Sequence, residues 1–177
     1  MLMNREESVL LVVDMQEHLL RVIHDHQRLL DNVLWLVQLA KKLEVPILPV
    51  EIYPQGLGQT HPDLRALLTD GSIVQKLHFS CVAAGMFGSE EHRQVVVCGI
   101  ESHVCVLQTV LELRGQGSAV FVVADAVSSR DPASKTLALE RMRQHGAEVV
   151  SREMVAYEWL KQAGTPLFKE MSSQFLR

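Results

Sequence analysis

Apolar runs of strand length alternate with helix-period segments from one end of the chain to the other, and this alternation constrains the fold more than any other feature. Val9-Val13 is apolar at every position and so cannot face water on either side. Leu29, Val33, Leu36, Val37, Ala40 and Leu43 then form one helical stripe, which Pro46 ends. Ile47-Val50 reads as a second strand, followed by a loop rich in proline and glycine (Pro54, Gly56, Gly58) and a short helix near Pro62-Leu68. Ile73-Gln75, Val95-Cys98, Ala119-Val123 and Glu148-Ser151 are the third to sixth strands. One helix follows the fourth strand to about Arg114, where Gly115 and Gly117 stop it. Asp131 as N-cap and Pro132 in the first turn open another that reaches His145 and stops at Gly146, and Thr165-Pro166 starts a last one running to about Leu176.

Buried strands in repeated β-α-β units predict an α/β fold, a doubly wound parallel sheet with helices on both faces. No repeat, low-complexity tract or linker divides the sequence, so residues 1–177 read as a single domain. A chain of 177 residues is long enough for a full core. The formal net charge of −4 supplies no basic field for nucleic acid, and no apolar run approaches the roughly 20 residues that span a bilayer. The charged start, Met1-Leu2-Met3-Asn4-Arg5-Glu6-Glu7, lacks the apolar stretch of a signal peptide. Cys81, Cys98 and Cys105 are odd in number and show no C-x-x-C spacing, which points to free thiols and a reducing, cytoplasmic setting.

In a sheet of this kind, ligands bind at the carboxyl ends of the strands, where the strand order reverses. Asp14 ends the first strand and Lys76 the third, while Cys105 lies just past the fourth in Gly99-Ile100-Glu101-Ser102-His103-Val104-Cys105. Val106, Thr109, Val110 and Leu113 continue from that turn at helical spacing, and Ser102 is the expected N-cap. Cys105 would then sit in the first helical turn, where unpaired N–H groups and the helix dipole favour a thiolate. A carboxylate, an ammonium and a thiol at one edge are the parts of nucleophilic acyl chemistry: a base, a stabilising cation and the nucleophile. Each has a plainer reading. Asp14-x-x-Glu17 matches a capping box, Lys76 could be a solvated strand end, and Cys105 a small core side chain. Among the histidines, His18, His24, His26 and His61 form no metal-ligand spacing. His103, two positions before Cys105, points away from it on a helix and reads as a cap or pocket-wall residue.

Four segments carry a resemblance: Val12-Val13-Asp14-Met15-Gln16, Lys76-Leu77-His78-Phe79-Ser80, Gly99-Ile100-Glu101-Ser102-His103-Val104-Cys105-Val106 and Ala124-Asp125-Ala126-Val127-Ser128-Ser129-Arg130. Together they resemble the isochorismatase-like cysteine hydrolase superfamily over essentially the whole chain, most closely its metal-free isochorismatase-domain branch. The resemblance implies a six-stranded parallel sheet in the order 3-2-1-4-5-6 and a triad of Asp14, Lys76 and Cys105. It also implies a cis peptide bond at Ile100–Glu101, with the backbone N–H groups of Glu101 and Cys105 forming an oxyanion hole. Nicotinamidases of the superfamily carry an Asp-x-His metal pair after the second strand. Here that segment is Glu51-Ile52-Tyr53-Pro54, so no metal and no other cofactor is expected. True isochorismatases have a glycine-type residue where Cys105 stands, which favours acyl or C–N hydrolysis here.

The expected activity is cysteine-dependent hydrolysis of a small amide-like substrate through a thioester, with Tyr53, Phe79 and His103 as candidate pocket walls. The alternatives are a catalytically idle interaction module that keeps the fold, or a redox-sensing thiol with Cys98 or Cys81 as resolving partner. The superfamily resemblance also implies a homo-oligomer. Leu167, Phe168, Met171 and Phe175 give the last helix an apolar face that either joins such an interface or docks on the chain's own body.

Overall fold

The computed structural model describes residues 1–88 and 94–176. In chain order the elements are β1 (Ser8–Val13), α1 (Glu17–Leu20), α2 (His26–Lys42), β2 (Ile47–Ile52), α3 (Pro54–Leu57), α4 (Pro62–Arg65), β3 (Val74–Lys76) and β4 (Gln94–Ile100). A π-helical turn (Ser102–Val106) leads into α5 (Leu107–Gly115), followed by β5 (Ala119–Ser128), α6 (Pro132–Gln144), β6 (Glu148–Val150), α7 (Arg152–Leu160) and α8 (Pro166–Phe175). The six strands form one sheet in the order β3-β2-β1-β4-β5-β6, with every neighbouring pair parallel.

β1 and β4 are buried at every position because they lie at the centre of the sheet with helices on both sides. Alternate residues serve opposite faces, as strand geometry requires. Leu10, Val12, Val96, Cys98, Ile100 and Phe121 pack with α2, α7 and α8, whereas Val9, Leu11, Val13, Val95, Val97 and Val122 pack with α5 and α6. β2 and β3 are built outward from β1 in one direction, β5 and β6 outward from β4 in the other, so the order reverses between β1 and β4.

α7 and β5 differ from the sequence expectation. α7 was not anticipated, because Ser151 was counted as strand; it is in fact the N-cap, its hydroxyl accepting from Met154 N–H at 3.2 Å. β5 runs five residues past Val123, to Ser128. Its register against β4 shifts between Val97↔Val122 and Gly99↔Val127, so that Val123, Ala124, Asp125 and Ala126 stand against Cys98 alone. The apolar face of α8 is engaged within the chain: Met171 is buried, Leu167, Phe168 and Phe175 pack on the same core, and Phe175 meets Trp35 of α2 edge-on at 5.5 Å.

Candidate active site

The last paired residues of the two central strands, Val13 and Gly99, set the stage. Gly99 has φ +113°, and a Cβ there would lie 2.1 Å from the Val13 carbonyl oxygen, so only glycine lets the strands approach this closely. Beyond the pair the two chains diverge into the site. Asp14 turns into the left-handed region (φ 50°) with its N–H donated to the Val50 carbonyl at 3.1 Å, and its side chain is wholly buried. That burial excludes the capping-box reading, and the N-cap of α1 is Gln16 instead. On the other strand the Ile100–Glu101 peptide bond is cis, as the resemblance implies.

Cys105 then enters on the π-helical turn. Glu101, not Ser102, is the N-cap, and Ser102 Oγ is buried without a hydrogen-bond partner among the described residues. The expected Ser102 cap is therefore corrected: the wider turn draws that side chain inside, away from the first-turn N–H groups. The Glu101 carbonyl accepts from Val104 N–H at 3.0 Å and Val106 N–H at 3.2 Å, passing over the Cys105 N–H between them.

Lys76 Nζ donates to Asp14 Oδ2 at 2.8 Å and to the Phe79 carbonyl at 3.1 Å, and both charged side chains are fully enclosed. The solvated-strand-end reading of Lys76 is thus excluded. Burial holds the Asp14 carboxyl above the usual carboxylate range, while Lys76 and the Cys105 thiol pull it back toward the ionised form. Burial pushes the Cys105 thiol well above its ordinary value, and the Asp14 charge adds to this more than Lys76 subtracts. Loss of water and a facing carboxylate thus oppose the thiolate that the helix terminus is expected to favour. Asp14 Oδ1 is buried without a hydrogen-bond partner among the described residues, and the Cys105 thiol acts on the Asp14 carboxyl group. The group can move a proton from sulfur to carboxylate without changing its net charge.

The other two thiols differ. Burial takes Cys81 to about 11 and lifts Cys98 further, and Cys98 packs on the sheet face opposite Cys81 and Cys105. Tyr53 and Phe79 flank Lys76: Tyr53 N–H donates to the Lys76 carbonyl at 3.0 Å, and both rings are half-exposed. His103 Nδ1 lies 2.9 Å from Ser129 Oγ. Sequence reasoning missed the partners behind these groups. Glu51, buried on β2, accepts from Thr60 N–H (3.0 Å), Thr60 Oγ1 (2.9 Å) and Gln75 (3.1 Å), and Gln16 ties the loop to β2 through Ile52 and Gly58. A carboxylate inside an apolar strand was the available signal for Glu51.

In the segment where related enzymes hold a metal, Glu51 is the carboxylate, and its oxygens are already hydrogen-bonded to Thr60 and Gln75. Among the described residues, no group of three or more His, Cys, Asp or Glu side chains could hold a metal ion. The donor set does not fit one. A cavity of about 400 Å³ at the end of β5, bordered by His24, Arg28, Asp125 and Lys135, includes none of Asp14, Lys76 and Cys105 and is a separate feature. Among the described residues, no helix is long and apolar enough to cross a membrane.

A six-stranded doubly wound parallel sheet, with a buried Asp–Lys pair and a cysteine at its switch point, places the chain in the class of isochorismatase-like α/β folds. Residues 8–154 match the Isochorismatase domain family, and the chain belongs to that family, which includes hydrolases. Isochorismatase domain-containing protein 2 of Xenopus laevis is 38% identical over 173 residues, covering 96% of this chain and 83% of that protein. A structure titled MAR1 ribonuclease from Caenorhabditis elegans superposes with a TM-score of 0.93 at 34% identity, covering 100% of this chain and 93% of that one. The YcaC gene product of Escherichia coli, described as an octameric hydrolase of unknown specificity, gives a TM-score of 0.83 at 26% identity, covering 91% and 83%.

Proposed function

We propose that this chain is a single-domain cysteine hydrolase that cleaves a small amide-like C–N bond through a thioester, without a metal. The observation that carries this reading is the enclosed Lys76–Asp14 pair, 2.8 Å apart, set against the Cys105 thiol. Two fully buried charges are costly to keep, and a purely structural pair gains little over apolar packing. A proton-transfer site is a use that repays that cost.

In the proposed cycle Asp14 takes the Sγ proton of Cys105 while Lys76 stays paired to the negative charge. Sulfur attacks the carbonyl carbon, and the resulting oxyanion is held by the N–H groups of Glu101 and Cys105. Collapse breaks the C–N bond as the proton on Asp14 passes to the leaving amine. Asp14 then deprotonates a water that attacks the thioester, and the C–S bond breaks to restore the thiol. Tyr53, Phe79 and His103 would wall the substrate, and free thiols suit a reducing cytoplasm. Association into a dimer or larger assembly is part of the same reading, supported by the octameric description of the YcaC protein.

The test is a screen of small amides, carbamates and ureas against wild type and Cys105→Ala, with intact-mass detection of the acyl adduct. Turnover and an adduct that both vanish in Cys105→Ala are expected. Undiminished turnover in that variant refutes the nucleophile. No turnover by wild type, with no Cys105 adduct from any substrate, favours the idle interaction module. For the redox alternative, Cys81 shares a core cluster with Cys105 and is the better resolving partner, whereas Cys98 belongs to the other cluster.

A further inference from the structure

The motif Ser128-Ser129-Arg130 at the end of β5 has no part in the cycle above, yet its side chains grip the turn that carries the proposed oxyanion hole. Arg130 Nη2 donates to Glu101 Oε1 at 2.7 Å and Nε to Oε2 at 3.0 Å, while the Arg130 N–H reaches Oε2 at 3.3 Å. Two residues on, His103 is held by Ser129 Oγ at 2.9 Å. The grip has firm footing. Ser128 Oγ donates to the His24 carbonyl (3.0 Å) and His24 N–H to the Ser129 carbonyl (3.1 Å). Behind it, Asp125 in the bulge of β5 accepts from Arg152 N–H at 2.9 Å. The Glu101 side chain is nearly enclosed, whereas Arg130 is well exposed.

An ion pair open to water on its arginine side usually contributes modestly to stability. A bidentate guanidinium–carboxylate fork does, however, fix orientation in two directions at once. The residue so fixed is Glu101, whose N–H is a proposed oxyanion donor.

We propose that Arg130 is a positioning residue for acyl transfer: by holding both carboxylate oxygens of Glu101, it aims the Glu101 N–H at the developing oxyanion. This rests on the cysteine-hydrolase reading, and two probes of Cys105 separate the two ideas. p-Nitrophenyl acetate acylates sulfur: the Sγ–H proton goes to Asp14, the C–S bond forms through a tetrahedral oxyanion, and p-nitrophenolate leaves. Iodoacetamide alkylates the same sulfur by direct displacement of iodide and forms no oxyanion.

Arg130→Ala and Glu101→Gln are therefore expected to slow the acetylation burst at least about 10-fold, since loss of one such donor costs about 10²–10³. The iodoacetamide rate should stay within about twofold of wild type. Arg130→Lys, which keeps the charge but loses the fork, should fall between. Acetylation unchanged in both variants overturns the proposal. So does an equal fall with both probes, which marks a general disturbance of the turn. Labelling by both reagents that persists at the site in Cys105→Ala instead overturns the underlying nucleophile reading.

Discussion

Substituting Gly99 by alanine tests the packing at the switch point most directly. The added Cβ would lie 2.1 Å from Val13 O, 2.7 Å from Val13 N and 2.8 Å from Val13 C, all backbone atoms of the neighbouring strand. No rotamer change relieves a clash with backbone, so β1 and β4 must separate. A side chain at φ +113° adds strain of about 1–3 kcal/mol, and overpacking typically adds about 1–3 kcal/mol. The sum, about 2–6 kcal/mol, is a large fraction of the roughly 5–15 kcal/mol that holds a typical domain together. For a chain of this size it corresponds to a Tm lower by about 5–20 °C. Two controls divide the effect. Gly71 also has positive φ (+75°), but a Cβ there meets nothing within 4 Å, so Gly71→Ala isolates the backbone term. Gly115, at the end of α5, has open space as well, and Gly115→Ala should be neutral or raise Tm slightly. Thermal unfolding by circular dichroism reads all three. A Gly99→Ala loss no larger than that of Gly71→Ala would refute the close-approach argument.

Iodoacetamide should label Cys105 before Cys81 and Cys98, since Cys105 alone retains slight exposure, and peptide mapping that finds Cys98 first refutes the site. Because burial and the Asp14 charge raise the thiol, that labelling should keep climbing as pH rises beyond 8; a plateau below neutrality contradicts the resting thiol. With a turned-over amide, Asp14→Asn should lower single-turnover acylation by about 10²–10⁴-fold, the usual cost of a lost general base, while circular dichroism stays native. Lys76→Met removes the main counterweight to burial at Asp14, so the carboxyl should hold its proton at neutral pH and acylation should fall, with substrate affinity changing less. Chelator should leave Tm and thiol labelling unchanged; a drop in both with release of zinc or iron restores a metal reading. Light scattering at micromolar concentration should give a dimer or larger, and a mass near 20 kDa refutes that. Phe175→Ala should lower Tm without changing the assembly, because α8 is docked on its own α2.

The parts of the fold legible in the sequence were those where burial is complete. β1 and β4 are apolar throughout because both faces are covered, and the helix after β1 shows its stripe because only one side meets the sheet. Asp14, Lys76 and Cys105 were nominated by topology: the first two stand where a strand ends, and Cys105 lies in the turn just past the fourth. What failed was local. The extension of β5 passes through Asp125, whose charge reads as a loop, since a register shift rather than a side-chain pattern carries the strand onward. α7 was hidden because a serine serves equally as a strand end or an N-cap, although Val155, Ala156, Trp159 and Leu160 show helical spacing. The π-helical turn cannot be read from Ser102-His103-Val104, since its wider path is set by the strands it connects.

The charge arrangement bears on how an enclosed group could carry out the proposed first step. In the proposed resting state the enclosed group holds one carboxylate, one ammonium and a neutral thiol. In the proposed first step the proton moves from sulfur to Asp14, and the group then holds a thiolate, the same ammonium and a neutral acid. One negative and one positive charge are buried in both states, so the large cost of enclosing an isolated anion is not incurred anew. Lys76 stays close to whichever partner is charged. The raised thiol is compatible with this step because its basicity reflects burial first and the carboxylate beside it second, and the second contribution disappears with the proton transfer itself. A cysteine activated by solvent or by a helix terminus alone would have no such compensation. An apolar residue in place of Lys76 should therefore cost more in acylation rate than in substrate binding.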